Sequence, residues 1–301
     1  MIDYPAARAV ATVVRTGSFE RAAEALGVTP SAVSQRVRQL EERLGAVLIV
    51  RGSPCTATER GERLCRHMER VGLLERELID LMPGLVDPSA PAQRPTIAVA
   101  ANADSLGTWF LAAIAAFARR SDLLLDVTLD DEGHTADRLR RGRVSAAVTS
   151  LAEPVQGCRV VSLGALRYRA TASPDYVARH FPDGVTPEAI ARAPALTFGQ
   201  KDRLQHDWIR RTVGRPVPHP THWLPSTQSF VEAGLAGMGW SLNPEALVRD
   251  HLSAGRLVEL VRGAVFDVPL HWQIDRASAD RLSELTADVV ATAARALVRV
   301  A

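Results

Sequence analysis

The sequence predicts an α/β protein in which a small all-α-type segment precedes a larger, two-lobed α/β segment. Three observations predict it. Residues 5 to 82 carry helix signals with apolar spacings of three and four. PGLVDPSAPAQRP, residues 83 to 95, is a Pro/Ala/Ser-rich break. From residue 96 onward, short β-rich runs alternate with helical ones. The chain has 301 residues, 47% hydrophobic and 23% charged, so it has material for real cores and is not of disordered composition.

PAARAVATVVR (5–15) reads as a helix with Pro5 in its first turn and Gly17 beyond its end. Ser18 is placed to cap a second helix, Phe19 to Leu26, which Gly27 ends. Thr29 is placed to cap a third, with Pro30 at its first helical position. In that third helix, within TPSAVSQRVRQLEERLG (29–45), Val37, Leu40 and Leu44 lie within about 40° of Val33 at roughly 100° per residue. Ser31, Ser34, Gln35 and Arg38 fall on the opposite side. That stripe carries hydroxyls, an amide and a guanidinium instead of long Glu/Lys pairs. The connection GVTP suits two helices that cross steeply in a helix-turn-helix. VLIVRGSPCTATERG then offers a short strand, a Gly-Ser-Pro turn and a return, which is a wing. Residues 1–58 form this winged helix-turn-helix.

A helix-turn-helix presents the N-terminal half of its last helix to the major groove of double-stranded DNA. Thr29 and Pro30 stand at the entrance. Gln35 has the geometry to read adenine, Arg38 to read guanine or bind phosphate, and Ser31 and Ser34 to bond base edges or phosphates. Arg51 in the wing is placed for a flanking phosphate, whereas Glu41 and Glu42 come later, away from the groove entrance. Net charge is only +2, so such binding must come from a local patch.

Thr58 caps the next helix, expected over 59–82. Leu64, Met68, Val71, Leu74, Leu78 and Leu81 make its stripe. The helix is longer than a small domain covers, so pairing with a second copy is the simplest way to bury it. Packing on the preceding helices is the alternative. Residues 83–95 are then a hinge and 96–301 a separate domain.

In that domain TIAVAAN (96–102) is a strand, and Asp104 or Ser105 is expected to cap a helix through Ala118. Strands at 123–130 and 145–150 flank the helix TADRLRRG, an order that implies a parallel sheet. Extended runs GALRYRATAS and ALTFG follow, with helices at about 201–212, 226–236 and 244–253. VPLHWQID (268–275) and a helix from about Ser278 to Val300 close the chain. Two lobes with two crossings fit: 96–162 with 268–301, and 163–267.

In open α/β sheets ligands sit beyond the carboxyl ends of strands. Those ends hold Asn102, Asp104, Ser105, Glu132 and Ser150 in one lobe, and Asp202, Ser226 and Thr227 in the other. Helix N-termini near Ser105 and Thr227 suit a carboxylate. Asp104, Glu132 and Asp202 suit an ammonium or guanidinium, and bidentate pairing favours arginine over lysine. The bland alternatives are that Asp104 and Ser105 are only caps and Asp202 only a surface residue. The basic Lys201 beside Asp202 works against a cationic ligand.

Other chemistries are excluded. Cys55, Cys65 and Cys158 form no CxxC or Cys/His cluster, so neither a zinc site nor a disulfide framework is indicated. GLAGMG (234–239) is not GxGxxG and follows a helix, so it reads as helix termination. There is no GxSxG or HExxH, and His134, His206, His219, His222 and His271 lack ligand spacing, so no enzyme and no cofactor are expected. The N-terminus lacks a signal-peptide pattern and no run approaches the ~18 apolar residues of a membrane span, so a cytoplasmic protein is expected.

SFERAAEALGVTPSAVSQRVRQLEERLG and VRGSPCTATERGERL resemble the N-terminal signature of LysR-type transcriptional regulators. The resemblance spans nearly the whole chain. SAVSQR, AANADSLGTWFL, RLRRG, GCRVVSLGALRY and STQSFVEAGLAGMGWSLNPE narrow it to the arginine/lysine-responsive ArgP/LysG branch. It implies a linker-helix dimer, usually a tetramer, and a periplasmic-binding-protein-like (type 2) effector domain. It implies a non-covalent small-molecule effector, RNA polymerase as a partner, and control of amino-acid transport, export or metabolism genes. A different small-molecule effector, or an effector-independent architectural DNA-binding role, stands as the alternative.

Overall fold

A computed structural model describes residues 2–82, 85, 94–129, 135–140 and 142–299. The chain forms two compact units: Met1–Ile97 with Asp122–Asp126 and Arg141–Arg143, and Ala98–Ser121 with Val127–Arg140 and Val144–Ala301.

The first unit contains α1 (Tyr4–Thr16), α2 (Phe19–Leu26), α3 (Pro30–Leu44), β1 (Ile49–Val50), β2 (Thr56–Ala57) and α4 (Glu59–Leu81). Local chemistry sets their ends. Asp3, Ser18, Thr29 and Thr58 each accept a first-turn N–H, and Gly17, Gly27 and Gly45 close α1 to α3 in the left-handed region. Val10, Val13, Ala22, Ala23, Val33, Val37 and Leu40 build the core. Leu44 is not part of it, being 52% exposed, because the last turn of α3 runs beyond the buried cluster. β1 and β2 pair antiparallel, Ile49 with Ala57 and Val50 with Thr56, as the wing. The α4 stripe splits. Leu64 packs on the helical core and Met68 is buried, so part of α4 does pack on the preceding helices. Leu74, Leu78 and Leu81 remain exposed.

The second unit opens with β3 (Thr96–Ala101), α5 (Ala103–Ser105), a π turn (Leu106–Phe110), α6 (Leu111–Ala118), β4 (Leu124–Leu129), α7 (Thr135–Arg140) and β5 (Ala146–Thr149). β6 (Cys158–Ala172), α8 (Pro174–His180), α9 (Pro187–Ile190), β7 (Ala195–Thr197), α10 (Leu204–Val213), β8 (Thr221–Trp223) and α11 (Thr227–Leu235) follow. β9 (Ser241–Pro244), α12 (Glu245–Ser253), β10 (Val258–Glu259), β11 (Phe266–Asp275), a 3-10 turn (Arg276–Ser278) and α13 (Ser283–Ala296) complete it.

The main sheet runs β10-β6-β11-β5-β3-β4, with β9 also on β6, and β7 pairs β8 in parallel. β3 and β5 are parallel, but β11 runs antiparallel to both β5 and β6. The sheet is therefore mixed and not simply parallel: the returning chain enters between β5 and β6 from the opposite direction. Trp272, Tyr168, Phe110 and Phe117 are fully buried in this unit.

β6 and β11 are its two longest strands and pair along ten positions, with a register shift between Leu270 and His271. Gly164 lies opposite that shift at φ +116°, and a Cβ there would come 2.7 Å from the Val298 carbonyl oxygen. Ala165 donates its N–H to that oxygen at 2.8 Å and accepts from Val298 at 3.0 Å. This bridge explains why the last helix ends at Ala296 and not near Val300: Leu297 turns extended so that Val298 can pair. The expected helix start at Ser278 is likewise a 3-10 turn, and α13 begins at Ser283. The GLAGMG glycines do terminate a helix, with Gly237 at positive φ after α11. Most of the expected hinge, residues 83–95, lies outside the described residues, as does Glu132. Among the described residues no helix is long and apolar enough to cross a membrane.

Candidate functional site

Two constellations carry chemistry, one in each unit. In the first, α3 exposes Thr29, Pro30, Ser31, Gln35 and Arg38 on one side, with Ser34 half-buried among them. The Thr29 hydroxyl accepts the Ala32 N–H at 3.3 Å and lies 3.0 Å from the Ser31 hydroxyl. Gln35 is exposed. Arg38 donates through Nε to Glu42 at 2.8 Å, an exposed helical pair one turn apart. Such a pair is weak and yields readily to a phosphate or base edge. Arg51 stands exposed in the wing.

The wing is held by a residue that spacing alone does not flag. Glu41 Oε1 accepts the backbone N–H groups of Leu48 at 2.7 Å and Ile49 at 3.2 Å. Its carboxylate therefore fixes β1 against α3 and adds nothing to the groove-facing side.

The second constellation centres on Asp104. The helix cap there is neither Asp104 nor Ser105: Asn102 Oδ1 accepts the Ser105 N–H at 3.3 Å, because β3 stays extended through Ala101 and the helix starts at Ala103. The Asp104 carboxylate is thereby freed from capping. Its Oδ1 accepts the Thr227 hydroxyl at 2.5 Å and its Oδ2 accepts the Tyr168 hydroxyl at 2.8 Å. Burial pushes the Asp104 carboxyl up from its ordinary range, and the negative charge of Asp202 acts in the same direction. The two hydroxyl bonds oppose that shift by favouring the carboxylate.

Asp202 is half-buried and accepts the N–H groups of Phe198 at 3.2 Å and Leu204 at 2.9 Å, which shapes the turn before α10. It is thus a turn-forming residue and also a charge felt at Asp104. Lys201 beside it is exposed. Ser226 caps α11 through the Ser229 N–H at 3.3 Å, and Thr227 is the first residue of that helix. Ser105 is fully buried with a hydroxyl that meets no partner, and Ser150 is half-buried at the end of β5.

The structure thus joins Asp104 with Thr227, sets Asp202 where its charge acts on Asp104, and adds Tyr168, which sequence reasoning missed. Asn102 and Ser226 serve helix starts. Tyr168 left only a faint signal, an aromatic in an extended run. Among the described residues no group of three or more His, Cys, Asp or Glu side chains is arranged for a metal ion.

A capped recognition helix with a polar outer face, a wing, a long helix with an uncovered apolar end, and an α/β unit with a buried acid at its centre define a bacterial regulator of transcription. Residues 6–62 match the lysR-family bacterial regulatory helix-turn-helix protein, and residues 91–297 match the LysR substrate binding domain. The chain belongs to the LysR family and is a DNA-binding regulator, not an enzyme. It is of the ArgP/LysG type. It is 43% identical over 300 residues to the HTH-type transcriptional regulator ArgP of Pseudomonas aeruginosa (strain PAO1), covering 100% of this chain and 99% of that one. The crystal structure of ArgP from Mycobacterium tuberculosis superposes with a TM-score of 0.79 at 42% identity, covering 99% of each chain. Full-length LysG from Corynebacterium glutamicum with bound effector Arg superposes with a TM-score of 0.68 at 36% identity, covering 99% of this chain and 100% of that one.

Proposed function

We propose that this regulator senses a basic amino acid, arginine ahead of lysine, at Asp104, and through it controls genes of amino-acid transport, export or metabolism. The observation that carries this is the Asp104 carboxylate. Its described partners are two hydroxyls and a second acid, and neither hydroxyl neutralises it. A guanidinium is the ligand group that relieves such a pair of acids while matching a carboxylate in-plane. The arginine bound to the similar C. glutamicum LysG supports it. Thr227, Ser226 and the start of α11 suit the ligand's own carboxylate. Asn102, Ser105 and Ser150 stand at the opposing strand ends.

On the DNA side, Thr29, Pro30, Ser31, Ser34, Gln35 and Arg38 enter the major groove and Arg51 meets the backbone. Leu74, Leu78 and Leu81 take a second copy of the chain, and RNA polymerase is the partner at the promoter.

The test is calorimetric titration of the full-length chain with arginine, lysine and citrulline. Arginine is expected to bind best, and citrulline, which has the same shape without the charge, not at all. Binding of citrulline as tight as arginine, or no binding of either basic amino acid, overturns the proposal.

A further inference from the structure

The wing arginine is held in a way that Arg38 of α3 is not. Arg38 is neutralised in place by Glu42 at 2.8 Å. Arg51 has no acid partner among the described residues; its guanidinium carbon lies 5.2 Å from the centre of the Phe19 ring. Phe19 is the first residue of α2, directly after the cap Ser18, whose hydroxyl accepts the Arg21 N–H at 3.2 Å.

The rest of the wing is tied to the same corner. Cys55 donates its N–H to the Gly17 carbonyl at 2.8 Å. Gly17 sits so close that a Cβ there would come 2.8 Å from Pro54 Cβ. At the other end of the wing, Glu41 holds Leu48 and Ile49. Phe19 itself packs on the core cluster of the helical domain. The ring is therefore a fixed platform, and the guanidinium on it belongs to the one charged residue between Ile49 and Ala57.

The kind of tie matters. An acid that fixes an arginine also competes with phosphate for its N–H fork. An aromatic face attracts the cation through its quadrupole and leaves the in-plane donors free. Resting on the reading that α3 enters the groove and Arg51 meets the backbone, we infer that Phe19 is a positioning residue for DNA binding: its ring pre-orders Arg51, with no acid on its donors, for bidentate contact with a backbone phosphate flanking that groove. Ordering a long, rotamer-rich side chain before binding lowers the cost of the contact.

The magnitude is modest and measurable. An exposed cation–π contact corresponds to about 2–5-fold in affinity. Loss of one phosphate contact lowers the slope of log Kobs against log salt by about 0.9. The probe is a duplex enriched from random-sequence DNA by the full-length wild-type protein. Arg51→Gln is expected to weaken binding and lower the salt slope by about 0.9. Phe19→Leu keeps the apolar packing and is expected to weaken binding about 2–5-fold, to reduce the slope in the same direction, and to have no further effect in the Arg51→Gln background. Phe19→Tyr keeps the aromatic face and is expected to match wild type in affinity and slope, which serves as the measurement should the leucine variant fail to fold. Additive effects of Phe19→Leu and Arg51→Gln, an unchanged slope in Arg51→Gln, or a lowered slope in Phe19→Tyr each overturn the inference.

Discussion

Replacing Asp104 by Asn should move stability and effector affinity in opposite directions. Burial and the nearby Asp202 raise the Asp104 carboxyl above its ordinary value in the folded, ligand-free chain. A group whose folded pKa is raised leaves stability intact below its unfolded pKa and removes stability as pH climbs through the folded pKa. The ionised side chain is thus the destabilising form. Asn has the same shape, never ionises, and still offers one oxygen and one amide to the hydroxyls of Thr227 and Tyr168. The variant should therefore be at least as stable as wild type at neutral pH, and the two should converge in acid. Arginine binding should fall, because a charge-assisted hydrogen bond contributes about 1.5–3 kcal/mol, or roughly 10–150-fold in Kd. Arginine favours the ionised carboxylate, so binding to wild type should release protons, and affinity should drop as pH falls through the Asp104 pKa. Thermal melts of the full-length chain from pH 4 to 8, with calorimetry in two buffers of different ionisation heat, check all three signs. An Asn variant clearly less stable than wild type at pH 7 without arginine, yet binding arginine equally well, refutes the reasoning.

Gly164→Ala meets the Val298 carbonyl at 2.7 Å from a backbone at φ +116°. It should cost about 1–3 kcal/mol in backbone strain, with about 1 kcal/mol more for each bond of the Val298 bridge that breaks, read as a lower midpoint in denaturant. Leu78→Glu puts a charge on the exposed end of α4 and should leave a monomer that binds DNA weakly; sedimentation should show one mass, and a persistent dimer counts against the pairing. Glu41→Ala leaves the Leu48 and Ile49 N–H groups without their acceptor, at about 1–3 kcal/mol, and both amides should then exchange hydrogen faster while those of α2 do not.

The helical half was legible because its rules are local. Ser18, Thr29 and Thr58 cap from the residue before the helix, and Gly17, Gly27 and Gly45 end helices within one turn. Periodicity failed only where burial depends on what lies alongside: Leu44 shares the angular position of Val37 but lies outside the buried cluster and stays half exposed. In the α/β half, Asn102, Asp104 and Ser105 are all good caps. Which one acts is decided by where β3 stops, and the choice of Asn102 frees the acid for another use. The direction of β11 and the meeting of Tyr168 with Asp104, 64 residues apart, are consequences of the whole sheet, which no local pattern encodes. The role of Glu41 is invisible to periodicity because its partners are backbone N–H groups seven and eight residues away.

If arginine binds at Asp104 as proposed, that residue also links the effector to the packing of its own domain. Its two oxygens are gripped from separate elements, Thr227 at the start of α11 and Tyr168 on β6. Tyr168 lies four residues along β6 from Gly164, about 13 Å at the rise of a strand. Gly164 faces the register shift in β11, the other long strand. The two hydroxyls occupy one acceptor site on each oxygen, and a carboxylate has about four, so a guanidinium at Asp104 adds a charge-assisted bond that the ligand-free domain lacks and draws on the same two oxygens. A ligand shifts a conformational equilibrium only by its difference in affinity for the two states. Allosteric couplings are typically about 1–3 kcal/mol, the size of one charge-assisted hydrogen bond gained or lost. On the proposed reading, the one charge-assisted bond gained at Asp104 is of the size needed to carry the signal. In the Asp104→Asn variant, arginine that still bound should leave DNA affinity unchanged, whereas it should alter DNA affinity in wild type.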